Sequence, residues 1–176
     1  MLDKDIRVLL LPELELHFNK VIQEKQIYDH GTVVADVVGI HSDYMVGFEI
    51  KSDHDTFVRL ENQIKSYSNA FDYNYLVTTD KYMNDGLEFI PKEWGLIWVH
   101  DGKLIEYRKA VKTNNRYKVI FNMFWREELY KKMKADKVKG FRKAMVRLFP
   151  LVEETYNQSE IEQYLRVCLL NRKNWK

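Results

Sequence analysis

Apolar positions fall into short strand-like runs over the first hundred residues and into helix-spaced stripes beyond about residue 119. Ile6 and Leu9-Leu10 have helical spacing, and Asp3 is placed to cap them. Pro12 is expected to break that helix or to start a second one. Residues 18–28, with Val21-Ile22 and Ile27-Tyr28, suggest an irregular strand, and Asp29-His30-Gly31 is a turn signal. Thr32 to Ile40 and Tyr44 to Lys51 are rich in Val, Ile and aromatic residues and read as buried strands. Phe57, Leu60, Ile64, Tyr67 and Phe71 recur at intervals of three and four, the mark of an amphipathic helix. Ser52, Asp53 and Asp55 are its candidate N-caps. Tyr75 to Thr79 is the next strand. Trp94 to Val99 and Leu104 to Tyr107 are two more, joined across Asp101-Gly102, a hairpin signal.

Strand, helix, strand in this order makes a right-handed parallel crossover. The prediction is therefore an α/β fold, a mixed β-sheet with helices on its faces. Beyond it, Phe121, Phe124-Trp125, Leu129 and Met133 form one helical stripe. Phe141, Met145 and Leu148-Phe149 form another, ended by Pro150. Ser159 with Glu162 reads as a capping box for a last helix to about Leu170. The division expected is a core over residues 1–110 and a helical extension over 111–176. The extension packs onto the core or stands as a small subdomain.

Three charges interrupt the two buried strands: Asp36, Glu49 and Lys51. An unpaired charge is costly away from water, so these residues need a reason to be there. Residues two apart in a strand share a face, which puts Glu49 and Lys51 on one side. If Ser42-Asp43 is a two-residue turn, Asp36 sits directly opposite Glu49. Facing carboxylates repel unless a cation lies between them. A divalent metal beside a lysine resolves the conflict, and such a grouping is a hydrolytic site. Two carboxylates and the Ile50 main-chain carbonyl form a hard oxygen set suited to Mg²⁺ or Mn²⁺. The competing reading is a structural ion cluster.

Asp, then Glu-x-Lys on the next strand, resembles the signature of the PD-(D/E)XK nuclease superfamily. The longer string Gly47-Phe48-Glu49-Ile50-Lys51-Ser52-Asp53, then Asp55-Thr56, Arg59-Leu60, Gln63 and Tyr67, is similar to a small bacterial and phage branch near the MmcB-like DNA repair proteins. Ala35-Asp36 stands where Pro-Asp is usual. The similarity covers roughly residues 20–100. A looser similarity begins at Trp125-Arg126-Glu127-Glu128-Leu129. The resemblance implies a restriction-endonuclease-like fold and metal-dependent hydrolysis of DNA phosphodiester bonds. It implies Asp36 and Glu49 as metal ligands and Lys51 as the group acting on the attacking water. Gln63 and Tyr67, four apart on one helix face, match a pair that assists the site in parts of the superfamily. An upstream acidic ligand is usual, and Glu24 is the candidate, with Glu13 and Glu15 as rivals. Arg59, one turn before Gln63, is a candidate phosphate contact.

Charge distribution adds a partner. The net charge is only +2 over 176 residues. Residues 1–107 hold 10 basic and 19 acidic residues, net −9, whereas residues 108–149 hold 14 and 3, net +11. A segment that dense in cations suits a polyanion, and Lys131, Lys132 and Lys134 are its candidate DNA contacts. The competing reading is a solvated helix face.

No apolar stretch reaches the length of a membrane span, and the N-terminal residues do not read as a signal peptide. A single cysteine, Cys168, leaves no internal disulfide and no cysteine zinc cluster. A cytoplasmic protein is expected. The five histidines show no metal spacing, and no glycine-rich phosphate loop occurs. The expected function is a Mg²⁺-dependent deoxyribonuclease in DNA repair, recombination or phage DNA processing. Double-strand cutting needs two sites, which points to a homodimer. The alternatives are a non-catalytic DNA-binding accessory protein and an interaction subunit on the same fold.

Overall fold

The computed structural model describes residues 1–29, 31–141 and 145–173. His30 of the expected turn lies outside them. A six-stranded mixed sheet runs in sequence order, β1 (Lys20–Tyr28), β2 (Thr32–Ile40), β3 (Met45–Lys51), β4 (Tyr73–Thr79), β5 (Gly95–His100) and β6 (Lys103–Arg108). The first three strands are antiparallel neighbours, β3, β4 and β5 run parallel, and β6 turns back on β5. Helix α2 (Leu60–Ala70) makes the expected crossover from β3 to β4. Asp101 and Gly102 both take positive φ, 48° and 69°, as the tight hairpin between β5 and β6 requires. A 3₁₀ turn at Asp80–Tyr82 and helix α3 (Met83–Phe89) connect β4 to β5.

Helix α1 (Asp3–His17) covers one sheet face. Its buried stripe Ile6, Leu10 and Leu14 packs on Val37, Val46, Phe48, Ile50, Val77 and Val99. Pro12 does not break it. The proline is on the exposed side of the helix, where the carbonyl it leaves unpaired meets water. The N-terminal cap is also shifted: Asp5, not Asp3, accepts the Leu2 amide at 2.9 Å, and Asp3 pairs with Arg7 at 2.7 Å.

The other face carries α2 and α3, together with the C-terminal helices α4 (Tyr117–Asn122), α5 (Arg126–Ala135), α6 (Met145–Thr155) and α7 (Gln158–Asn171). Leu60, Tyr67 and Phe71 of α2 join Leu76 and Leu96 of the sheet and Ile120, Leu129, Leu148, Leu165 and Leu169 of these helices in one continuous core. The helical part thus packs directly on the sheet. Helix α6 continues through Pro150, which was expected to end it. The capping box of α7 is Asn157 with Glu160, two residues before the expected pair.

Helix α2 starts at Leu60, so Phe57 lies in the preceding loop, and none of Ser52, Asp53 and Asp55 caps the helix. Asp55 instead accepts both the Ser52 amide (2.8 Å) and hydroxyl (2.6 Å). Asp53 receives the Thr79 hydroxyl and the N-terminal ammonium. The loop is thereby tied to the chain start and to the end of β4.

The hairpin of β2 and β3 has the anticipated register: Val37 faces Phe48, Val38 faces Gly47, and Ile40 faces Met45. The edge strand β1 pairs with β2, with Gln23 facing Val37 and Lys25 facing Ala35. Between those pairs the side chains of β2 change from one core to the other. Val37 packs under α1, while Ala35 packs in the opposite core. Ile22 and Ile27, of unlike parity, both enter that second core. Glu24, with φ of 56°, is the backbone position where this switch occurs in β1. The ladder pairs the residues on either side of it, Gln23 and Lys25, with Val37 and Ala35.

Candidate active site

Asp36 sits where β2 leaves β3, since the paired register ends at Val37 and Phe48. Its polar groups are bound to three separate elements. The amide donates to the Tyr67 hydroxyl of α2 at 2.9 Å. The carbonyl accepts from Arg7 of α1 at 3.0 Å. The carboxylate accepts the Ile50 amide of β3 at 2.8 Å and lies 3.7 Å from the Arg7 guanidinium. A side chain here takes a donor that would otherwise bond along the ladder, so the carboxylate is fixed at the seam of the two strands.

Glu49 and Lys51 come from the end of β3, and both are almost wholly buried. The Lys51 ammonium donates to Glu49 Oε1 at 2.7 Å and to Gln63 Oε1 at 3.1 Å. Glu49 Oε2 accepts the Tyr67 hydroxyl at 2.7 Å. One turn of α2 separates Gln63 from Tyr67, so the helix delivers an amide and a phenol to the same place. Tyr67 belongs both to the core stripe and to this cluster: its ring packs on Phe71 and Trp94, and its hydroxyl joins β2 to β3.

The electrostatics follow from burial. Asp36 is pushed up to about 7, first by loss of water and then by the negative charge of Glu49; the Ile50 amide, Arg7 and Lys51 oppose this only in part. Glu49 is also raised, mainly by burial, with Lys51 and Tyr67 pulling the other way and Asp55 adding to the rise. Tyr67 is raised well above its ordinary value by burial and by the two carboxylates, so it remains a donor. Burial therefore disfavours the ionised form of both carboxyls, and Arg7 and Lys51 offset this only in part.

A cleft of about 380 Å³ opens over Asp36, lined also by Thr32, Val34, Arg59, Asn62 and Gln63. Arg59 is exposed there, as a phosphate contact would need to be. Sequence reasoning missed Arg7 and Asn62. Arg7 follows Ile6 of the buried α1 stripe, and its flank position was the available signal. Asn62 lies one residue before Gln63 and had no signal of its own.

The three candidates for an upstream acid lie in different surroundings. Glu24 falls between Gln23 and Lys25, which pair with Val37 and Ala35, and it lines a cavity with Lys25 and Trp125. Glu13 borders a groove beside β6, and Glu15 is exposed on α1. Among the described residues no three His, Cys, Asp or Glu side chains are gathered to hold a metal ion. Of the basic candidates, Lys131 and Lys134 are exposed. Lys132 is engaged by Asp136 at 3.1 Å and by the rings of Tyr156 and Tyr164. No described helix is long and apolar enough to cross a membrane.

Comparison with known proteins gives a family. The model of the family described as Bacteriophage P4 protein cII matches residues 4–174, and the chain belongs to that family. No curated protein matches it. Among solved structures, it is similar to the SPO1766 protein of unknown function from Silicibacter pomeroyi. The identity is 20% and the TM-score 0.46, over 72% of this chain and 86% of that one.

Proposed function

We propose that this member of the bacteriophage P4 protein cII family is a metal-dependent nuclease of the PD-(D/E)XK type that hydrolyses phosphodiester bonds in DNA. The observation that carries the reading is the hydrogen-bonded set Asp36–Tyr67–Glu49–Lys51–Gln63, of which Asp36 and Gln63 line a cleft and the other three are buried behind them. A core could satisfy the same strands with apolar residues at lower cost, since buried ion pairs seldom add net stability.

The residues fit a hard divalent cation such as Mg²⁺ or Mn²⁺ in donor chemistry: two neighbouring carboxyls that have lost water, with the Ile50 carbonyl as a further oxygen donor. Asp36 and Glu49 would hold the ion, which when bound polarises phosphate and makes bound water more acidic. Lys51 is the one ammonium in contact with Glu49, positioned to orient a water and to offset charge growing on phosphate oxygens. Gln63 holds the Lys51 ammonium in place, and Tyr67 holds the Glu49 carboxylate. Arg59 on the cleft wall positions the phosphate backbone. The basic segment draws DNA toward the protein, with Lys131 and Lys134 as its available contacts. The test is incubation with linear, circular and branched DNA in Mg²⁺, Mn²⁺ and EDTA. Cleavage in either metal and none in EDTA is expected, and intact DNA under every condition would refute the reading.

A further inference from the structure

The sheet face under α1 is only partly covered. Six strands span roughly 24 Å from first to last, whereas a helix with its side chains is about 10–12 Å across. Among the described residues α1 is the one helix on this face, and the other helices pack on the opposite one. What α1 leaves open is a groove between itself and β6. Two adjoining cavities of about 420 and 600 Å³ make it up, sharing His17, Ile97 and Glu106. Its floor is apolar: Tyr44, Tyr73, Tyr75, Ile97 and Leu104 join the core beneath α1 but are only partly buried.

Helix α1 is apolar on more than its buried side. Leu9 lines the groove. Leu2 and Leu16, seven residues before and after it, fall on the same side of the helix. Val8, Pro12 and Leu16, four apart, form an exposed stripe. Val8 is 73% exposed and Leu16 78%. A helix apolar on several sides belongs in an interior, yet this stripe meets solvent.

Charge distinguishes the two surfaces. Residues 3–17 hold four acidic and two basic residues, net −2. Residues 103–109, which run along the far wall of the groove, hold three basic and one acidic, net +2. Lys103 and Lys109 of that wall line the groove and are exposed. Arg108 donates to the Trp94 and Pro91 carbonyls, which are neutral and leave its charge in place.

We propose that a second copy of this chain docks here, each copy laying α1 in the groove of the other, so that two helices fill one layer between two sheets. The exposed stripe of each α1 then covers the open floor of the other copy. The side that carries Leu2, Leu9 and Leu16 meets the second helix, and an acidic helix lies beside a basic wall. The contact is self-complementary, as a twofold dimer requires, because each copy supplies both the helix and the groove. Helices packed between sheets bury the apolar faces of both. This dimer does not rest on the nuclease reading.

The experiment is sedimentation equilibrium of the full chain in EDTA, over a range of concentrations and at low and high salt. Wild type is compared with Val8→Lys, Leu16→Lys and Lys109→Glu, all at exposed positions, with far-UV circular dichroism as the check on folding. Val167→Lys, at an exposed apolar position on α7, is the control. Wild type and Val167→Lys should both dimerise. Each substitution enters a twofold interface twice, so Val8→Lys and Leu16→Lys should each weaken association about a hundredfold. Lys109→Glu should weaken it at low salt and less so at high salt. A wild type that stays monomeric, its groove left to some other molecule, would overturn the proposal. Dimerisation of folded Val8→Lys and Leu16→Lys at wild-type strength would overturn it too, by placing the interface elsewhere.

Discussion

The Tyr67 hydroxyl joins the two carboxylate positions: it donates to Glu49 Oε2 at 2.7 Å and accepts the Asp36 amide at 2.9 Å. It is the only group bonded both to Asp36 and to the Glu49 carboxylate among the described side chains. Because its ring is fully buried, the hydroxyl is placed by the hydrophobic core and not by solvent. Core packing and site geometry are therefore one construction.

Tyr67→Phe should test that link. The change removes a buried hydrogen bond to an ionised group and leaves the Asp36 amide without its partner. The expected loss of stability is about 1–2 kcal/mol, read from urea denaturation. DNA cleavage should fall while DNA binding stays near wild type, as expected of a positioning residue.

Asp36→Asn should alter the pH dependence of stability in EDTA. The folded carboxyl titrates near 7 and the unfolded one near 3.9. Stability present below the unfolded value is lost as pH rises through the folded one. Asparagine avoids that loss and can still accept the Ile50 amide. The variant should match wild type near pH 4, gain between about pH 4 and 7, and be more stable above pH 7 by up to about 4 kcal/mol. Saturating Mg²⁺ should reverse the order at pH 8 by stabilising wild type alone. A parallel pair of melting profiles from pH 4 to 8 would decide this.

The basic segment divides into two kinds of lysine. Lys131→Ala and Lys134→Ala should weaken DNA binding and flatten its salt dependence without changing the melting temperature. Lys132→Ala should instead destabilise the fold by roughly 1 kcal/mol, because it loses Asp136 and two aromatic faces. Equal binding by all three variants and wild type at low salt would make the segment a solvated face.

Much of this was legible in the residues. Period-two runs and the Ser42-Asp43 turn placed Val37 opposite Phe48, and so brought Asp36 toward Glu49. Spacing of three and four placed Gln63 and Tyr67 on one helix face. What was not legible depends on solvent exposure and on backbone conformation. Pro12 and Pro150 look like stops, but each is tolerated inside a helix on an exposed side. Ser52, Asp53 and Asp55 have the composition of helix caps, yet their partners are Thr79, the chain start and one another. The left-handed φ of Glu24 within β1 had no signal in the sequence either. Tertiary partners decided each case.

The most direct measurement is single-turnover cleavage of DNA in Mg²⁺ by wild type and by Lys51→Ala, with DNA affinity measured for both in EDTA. Lys51 contacts Glu49 and Gln63 inside the site, so its loss should appear in the rate of the chemical step and not in binding. The account predicts metal-dependent cleavage by wild type, a fall of about a hundredfold or more in the variant, and affinities within about twofold. Cleavage by Lys51→Ala at the wild-type rate, or no cleavage by wild type of any DNA form, would contradict it.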